Sequence, residues 1–203
     1  GSEQAGVQLD RLGGAGWQAR KLKLKKRIRD MADELIKVAA ARNLRHAPIL
    51  TSDDGAFDEF CARFPYTETE DQLRTISDTL GDLQGGHPMD RLVCGDVGFG
   101  KTEVALRAAF VSAMGGKQVA VVVPTTLLAR QHFQVFQERF ADFPIQVEQL
   151  SRFVTPKNAK EIKRGMSEGT VDIVIGTHAL LAKDVKFRDL GLLVIDEEQH
   201  FGV

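Results

Sequence analysis

From about residue 90 onward, short apolar runs alternate with longer amphipathic stretches. The runs at 91–94, 118–123, 145–150, 171–175 and 192–195 are rich in Val and Ile and have the length of strands. The intervening segments 102–114, 126–140 and 156–166 have the length and spacing of helices. Strands that alternate with helices predict right-handed crossovers and an α/β fold, a parallel sheet with helices on both faces. Several runs are almost wholly apolar, as strands covered on both faces must be.

The first half reads differently. Residues 17–43 contain neither Pro nor Gly, and Trp17, Leu24, Ile28, Met31, Leu35 and Val38 recur at spacings that draw one stripe on a helix. Val7 to Leu9 reads as the end of a strand and Leu12-Gly13-Gly14 as a turn. Residues 44–56 read as a linker, followed by a short helix over 57–63 and another over 69–80.

Charge sharpens this division. Residues 1–45 hold 11 basic and 5 acidic side chains, whereas the whole chain of 203 residues has 27 and 28. Seven of the ten residues from Arg20 to Arg29 are Lys or Arg, which marks a long basic amphipathic helix that contacts a polyanion or an acidic protein, or simply faces solvent. No apolar run approaches the roughly 18 residues needed to span a bilayer, so no membrane partner is expected. The two cysteines, Cys61 and Cys94, make neither a disulfide framework nor a zinc site, and a reducing, cytoplasmic setting fits. Gly1-Ser2 without Met reads as the scar of a cleaved tag, and the chain as a piece of a longer protein.

Gly95-Asp96-Val97-Gly98-Phe99-Gly100-Lys101-Thr102 matches the phosphate-loop pattern G-x-x-x-x-G-K-S/T in full, between an apolar run and a helix-forming run. Backbone N–H groups in such a loop turn inward around phosphate oxygens, and the helix N-terminus adds the positive end of its dipole. Lys101 is expected to reach the β- and γ-phosphates and the Thr102 hydroxyl to ligand Mg²⁺. The apolar run 192–195 delivers Asp196 to the C-terminal edge of the sheet as a second Mg²⁺ group, with Glu197 placed to orient or deprotonate the attacking water. Lys101, Asp196 and Glu197 are the expected catalytic residues of an ATP or GTP site, while Glu198 and Gln199 are candidates for sensing the nucleotide.

In chain order, Gly95 to Thr102, Pro124-Thr125-Thr126-Leu127-Leu128-Ala129, Gly176-Thr177-His178 and Asp196-Glu197-Glu198-Gln199 resemble motifs I, Ia, Ib and II of superfamily 2 helicases and translocases. Gly95 to Ala105, Asp184-Val185-Lys186-Phe187 and the closing Phe201-Gly202-Val203 narrow the likeness to the bacterial transcription-repair coupling factor family. That resemblance covers nearly the whole chain. It implies a RecA-like P-loop lobe, the first of two motor lobes, over 46–203. Before it come a linker helix over 17–45 and, over 1–16, the tag scar with the end of a domain that meets RNA polymerase. It further implies ATP and Mg²⁺ as cofactors, and double-stranded DNA, RNA polymerase and a second motor lobe as partners. The activity implied is ATP-driven DNA translocation in transcription-coupled repair. Because the arginine finger of such motors lies on the second lobe, the chain alone should bind nucleotide with negligible turnover.

The resemblance adds two sites. Phe64-Pro65-Tyr66 with Gln72 looks like a Q-motif, in which Gln72 reads the adenine edge and an aromatic stacks on the base. Thr125, Thr126, Gly176, Thr177 and His178 follow strands, where hydroxyls and backbone N–H groups can hold DNA phosphates, and Arg152 can add a charge contact. Each also reads as a turn or cap residue. The family has Arg before Phe-Gly-Val where this chain has His200, which puts in doubt any ion pair that Arg makes. Two other readings remain: a lobe of a RecG-like branch-migration helicase, and a non-catalytic interaction module regulated by nucleotide.

Overall fold

The computed structural model describes residues 15–96 and 98–196, so the expectations at Val7 to Leu9, Leu12-Gly13-Gly14, Val97 and Glu197 to Val203 lie outside the described residues. The chain divides into two units, Gly1–His46 and Ala47–Val203.

Among the described residues of the first unit there is one helix, α1 (Ala15–Asn43), in keeping with the absence of Pro and Gly over 17–43. Its apolar stripe is exposed: Leu24, Ile28, Met31, Leu35 and Val38 are 53–69% accessible. At its start, the Lys21 ammonium sits 4.8 Å from the centre of the Trp17 ring.

In the second unit each helix start has a local cause. The Asp53 carboxylate accepts from Gly55 N–H and opens α2 (Asp54–Ala62). Thr69 and Gln72 exchange side-chain and backbone bonds in a capping box that opens α3 (Glu70–Gln84). The phosphate-loop sequence runs into α4 (Lys101–Met114), and then comes β1 (Gln118–Val122). The Thr125 hydroxyl accepts from Leu128 N–H and opens α5 (Thr126–Phe140), which leads to β2 (Val147–Leu150). Thr155 caps α6 (Pro156–Glu168), which has Pro at its first position and the left-handed Gly169 just past its end. After α6 come β3 (Ile173–Gly176), a 3₁₀ turn (His178–Leu181) and β4 (Leu190–Ile195).

All the strand pairings are parallel, in the order β2-β3-β1-β4. The central strands β1 and β3 are buried at every position, which is why they read as continuous apolar runs. Val119, Val121, Ile173 and Ile175 face a core shared with α2, α4 and α5, where Phe60, Phe110, Phe136 and Phe140 interlock. Ala120, Val122 and Val174 face the other side, against Ile162 and Met166 of α6 and Leu180 of the 3₁₀ turn. Helices therefore cover both faces, as expected.

One expected strand is absent. Residues 91–96 form neither helix nor strand, and Leu92 is 77% exposed. Arg91 is drawn instead to α3, where it bonds Asp82 at 2.6 Å and approaches Asp78 at 3.7 Å. An apolar run becomes a strand only if a neighbouring backbone accepts its ladder, and β4 pairs only with β1 among the described residues.

Asp172, just before β3, accepts from Gln146 N–H at 2.7 Å. Burial pushes its carboxyl above the usual carboxylate range, and that bond offsets the shift only in part. A raised folded pKa means that the charged form is disfavoured in the native state, a cost that appears as pH rises through that pKa. Asp172→Asn keeps an acceptor for Gln146 and removes the charge. Thermal melts should show the variant above wild type at pH 8 and level with it at pH 3.

Candidate functional site

Register puts the ends of all the strands at one level. Val122 of β1 is paired with both Gly176 of β3 and Ile195 of β4, and Gly176 is paired with Leu150 of β2. Thr125 and Thr126, Ser151-Arg152, Thr177-His178 and Asp196 follow directly, so every candidate strand-end residue that is described lies along the C-terminal edge, the usual ligand edge of open α/β sheets. The Asp196 N–H donates to Val122 O at 3.0 Å, which extends the ladder to the acid itself.

The phosphate loop is built on backbone shapes that a side chain resists. Gly98 and Gly100 have φ of 89° and 81°, and Gly100 is the residue that opens α4 without a side-chain cap. A Cβ at Gly95 would strike the Phe99 ring at 2.4 Å, and one at Gly100 would strike Gln72 Nε2 at 2.6 Å. The Lys101 ammonium donates to the Gly95 carbonyl at 2.6 Å and the Asp96 carbonyl at 3.2 Å. Thr102 stands half-buried beside it in the first turn of α4.

Gln72 meets this loop. Its Nε2 donates to Phe99 O at 2.5 Å while its Oε1 accepts from Thr69 N–H at 2.8 Å. Both ends of the amide are thus used within the chain, one in the α3 capping box and one on the loop. Phe64 lies under two arginines, with the Arg107 and Arg139 guanidinium carbons each 5.9 Å from its ring centre, and meets Tyr66 edge-on.

Those arginines belong to a charge cluster that sequence reading did not pick out. Glu103, two residues past Lys101 and 4% exposed, bonds Arg107 at 2.8 Å and Arg139 of α5 at 2.6 and 3.1 Å. Arg107 also bonds Glu68, and that guanidinium holds the Glu68 carboxyl below its ordinary range. Arg139 reaches Phe60 O at 3.1 Å and lies 4.6 Å from the centre of the Phe60 ring. Two charges four residues apart on an otherwise apolar helix, Glu103 and Arg107, were the available signal. His132, also of α5, is a second addition: its Nε2 lies 3.0 Å from Asp196 Oδ2.

The remaining candidates occupy strand ends without strong partners of their own. Thr125 is exposed and spends its hydroxyl on the α5 cap. Thr177 is buried, whereas His178 and Arg152 are exposed, the latter over the Phe153 ring at 5.4 Å. Gly176 is required by packing, since a Cβ there would lie 2.4 Å from Leu150 O. Glu197, Glu198 and Gln199 lie outside the described residues. Both cysteines are unpaired.

A phosphate-loop sequence opening a helix that packs on a parallel sheet, with an acid at the end of one of its strands, is the arrangement of a P-loop motor-type lobe. The family model for DEAD/DEAH box helicases matches residues 69–203, and the chain belongs to that family. Within it, the chain is 54% identical over 203 residues to the transcription-repair-coupling factor of Bacillus subtilis (strain 168), a match covering 100% of this chain and 17% of the relative. It is 53% identical over 201 residues to that of Rickettsia bellii (strain RML369-C), covering 97% and 18%. A solved structure of RecG bound to a three-way DNA junction superposes with a TM-score of 0.75 at 38% identity, over 82% of this chain and 23% of that one. The chain thus spans about a sixth of the length of the curated relatives it matches. No helix among the described residues is long and apolar enough to cross a membrane.

Proposed function

We propose that this chain is the ATP-binding first lobe of a double-stranded DNA translocase that acts in transcription-coupled repair, in a cytoplasmic setting. The observation that carries the reading is the loop from Gly95 to Thr102. Its left-handed Gly98 and Gly100 open α4, a helix that packs on the same sheet whose strand β4 leads to Asp196. The 54% identity to a transcription-repair-coupling factor across the whole chain supports the biological role, and the partners proposed with it are RNA polymerase and a second motor lobe. It favours that role over a RecG-like one, where the match is 38%.

The Thr102 hydroxyl and the Asp196 carboxylate are hard oxygen donors of the kind Mg²⁺ selects, and these two residues would hold it. When bound, the metal neutralises charge on the β- and γ-phosphates. The chain's own residues supply the rest. Backbone N–H groups from Gly98 to Thr102 cradle phosphate oxygens at the positive end of α4. Lys101 exchanges its bonds to the Gly95 and Asp96 carbonyls for phosphate oxygens, so the loop has a cation already aimed along it. Glu197 orients the attacking water, and Glu198 and Gln199 sense the nucleotide. Gln72, already on the loop through Phe99 O, selects adenine by transferring one arm of its amide to the base, with Phe64 alongside. Thr125, Thr126, Arg152, Gly176, Thr177 and His178 contact the DNA backbone. Without an arginine finger from a second lobe, which is worth about 10³ to 10⁵ in rate, turnover by this chain alone is negligible.

The test is equilibrium binding of fluorescent ATP and GTP analogues with Mg²⁺ to wild type and to Gln72→Ala. The ATP analogue should bind more tightly than the GTP analogue, and Gln72→Ala should erase the difference. Equal binding of both nucleotides by wild type would remove the adenine role of Gln72, and binding of neither would remove the proposed function.

A further inference from the structure

Helix α5 is bonded to two elements that carry candidate nucleotide residues, α4 and the end of β4. His132 meets Asp196 with Nε2 3.0 Å from Oδ2, and Arg139 holds Glu103 through two bonds of 2.6 and 3.1 Å. Glu103 sits in the first turn of α4 beside Lys101 and Thr102, and Asp196 ends β4. The two arms of the site therefore come from different elements and are both fastened to one helix.

Seven residues separate His132 from Arg139, about two turns, which puts them on one face of α5 roughly 10 Å apart. Ala129, Phe136 and Phe140 lie along that same face and are 0–2% exposed, so the helix between the two attachments is packed closely against the core. At its N-terminus stand Thr125, whose hydroxyl caps it, and Thr126, the first helical residue.

Both attachments retain unused capacity. His132 Nδ1 and Arg139 Nε are buried and have no hydrogen-bond partner among the described residues. Buried polar groups are rarely left so, and a side chain with an unmet donor or acceptor is a natural pivot between two bonding arrangements. Because α5 is bonded to α4 and to the end of β4 at once, nucleotide phosphates that displaced either element would load these bonds, and a tilt of α5 in response would carry Thr125 and Thr126 with it.

We infer that α5 is the element through which nucleotide on the phosphate loop and DNA at Thr125 and Thr126 sense each other, with His132 and Arg139 as its positioning residues. This rests on the nucleotide and DNA reading proposed above and adds to it the route between the two ligands. Coupling of this kind is reciprocal: if DNA changes nucleotide affinity by some factor, nucleotide changes DNA affinity by the same factor.

The experiment measures binding of a fluorescent, non-hydrolysable ATP analogue with Mg²⁺, with and without a saturating short blunt DNA duplex. Wild type, Lys101→Ala, His132→Ala, His132→Gln and Arg139→Met are compared, each after a thermal melt that establishes folding. DNA should change wild-type nucleotide affinity by at least about 5-fold, the lower end of ordinary allosteric coupling, and His132→Ala and Arg139→Met should bring that factor to nearly 1. His132→Gln, whose amide nitrogen overlays the imidazole Nε2 and can still donate to Asp196, should keep most of it and serves if His132→Ala does not fold. A merely structural role would weaken each ligand separately and leave the factor at its wild-type value, which would overturn the inference. A wild type that binds nucleotide through Lys101 yet shows no linkage to DNA would also overturn it while leaving the nucleotide site standing. Nucleotide binding that is absent, or indifferent to Lys101→Ala, would sink the underlying reading instead.

Discussion

Lys101→Ala is expected to weaken binding of Mg²⁺-ATP by roughly 10- to 150-fold, the loss of 1.5–3 kcal/mol that one charge-assisted hydrogen bond contributes. The ammonium is the one side-chain cation bonded to the loop backbone among the described residues, through the carbonyls of Gly95 and Asp96. Fold stability should change little, because Lys101 is only half-buried and the two carbonyls it releases lie in an exposed stretch that water can reach. Titration calorimetry with a non-hydrolysable analogue, alongside a thermal melt, separates the two effects. Lost affinity with an unchanged melting temperature is the expected pair. Unaltered affinity would mean that Lys101 remains on the loop carbonyls when nucleotide arrives, and the phosphate-binding role would go with it.

What could be read from sequence follows from how local each signal is. The phosphate loop is contiguous, and its glycines are dictated by backbone shape at Gly98 and Gly100, so eight consecutive residues carried the whole message. The buried strands β1 and β3 are apolar at every position because both of their faces are covered. Helix α5 begins at Thr126 because Thr125 caps it, a signal that is again a few residues long. The segment 91–94 failed for the opposite reason, since nothing in its own residues says whether a neighbouring backbone will pair with it. The contact between His132 and Asp196 spans 64 positions and has no spacing rule. Gln72 illustrates a mixed case. It was expected to read the adenine edge, but its amide is divided between Thr69 N–H and Phe99 O, and only the fold could reveal that.

The buried charge cluster yields the largest expected change in stability. Glu103→Ala leaves Arg139 and Arg107 with Glu68 as the only carboxylate of the set, and side-chain exposures of 12% and 5%, respectively, keep water from replacing the lost partner. Breaking a buried pair by removing one member costs about 3–5 kcal/mol, because the remaining charge stays desolvated and unpaired. For a protein of this size that corresponds to a fall in melting temperature of roughly 6–20 °C. Glu103→Gln, which retains an acceptor but not the charge, should fall between that variant and wild type. The decisive comparison is Glu103→Ala combined with Arg139→Met. If the cost comes from a stranded guanidinium, removing it as well should recover part of the stability, and the double variant will be less damaged than the sum of the singles. If it came only from lost packing, the two changes would add. Acid should act in the same direction as the single substitution: Glu68 has a lowered pKa because of Arg107, so its stabilising contribution is present above the ordinary carboxylate range and disappears as pH falls through the folded value. Melts of wild type across pH should show this as a decline as pH falls through that value, and Glu68→Gln should make the decline smaller.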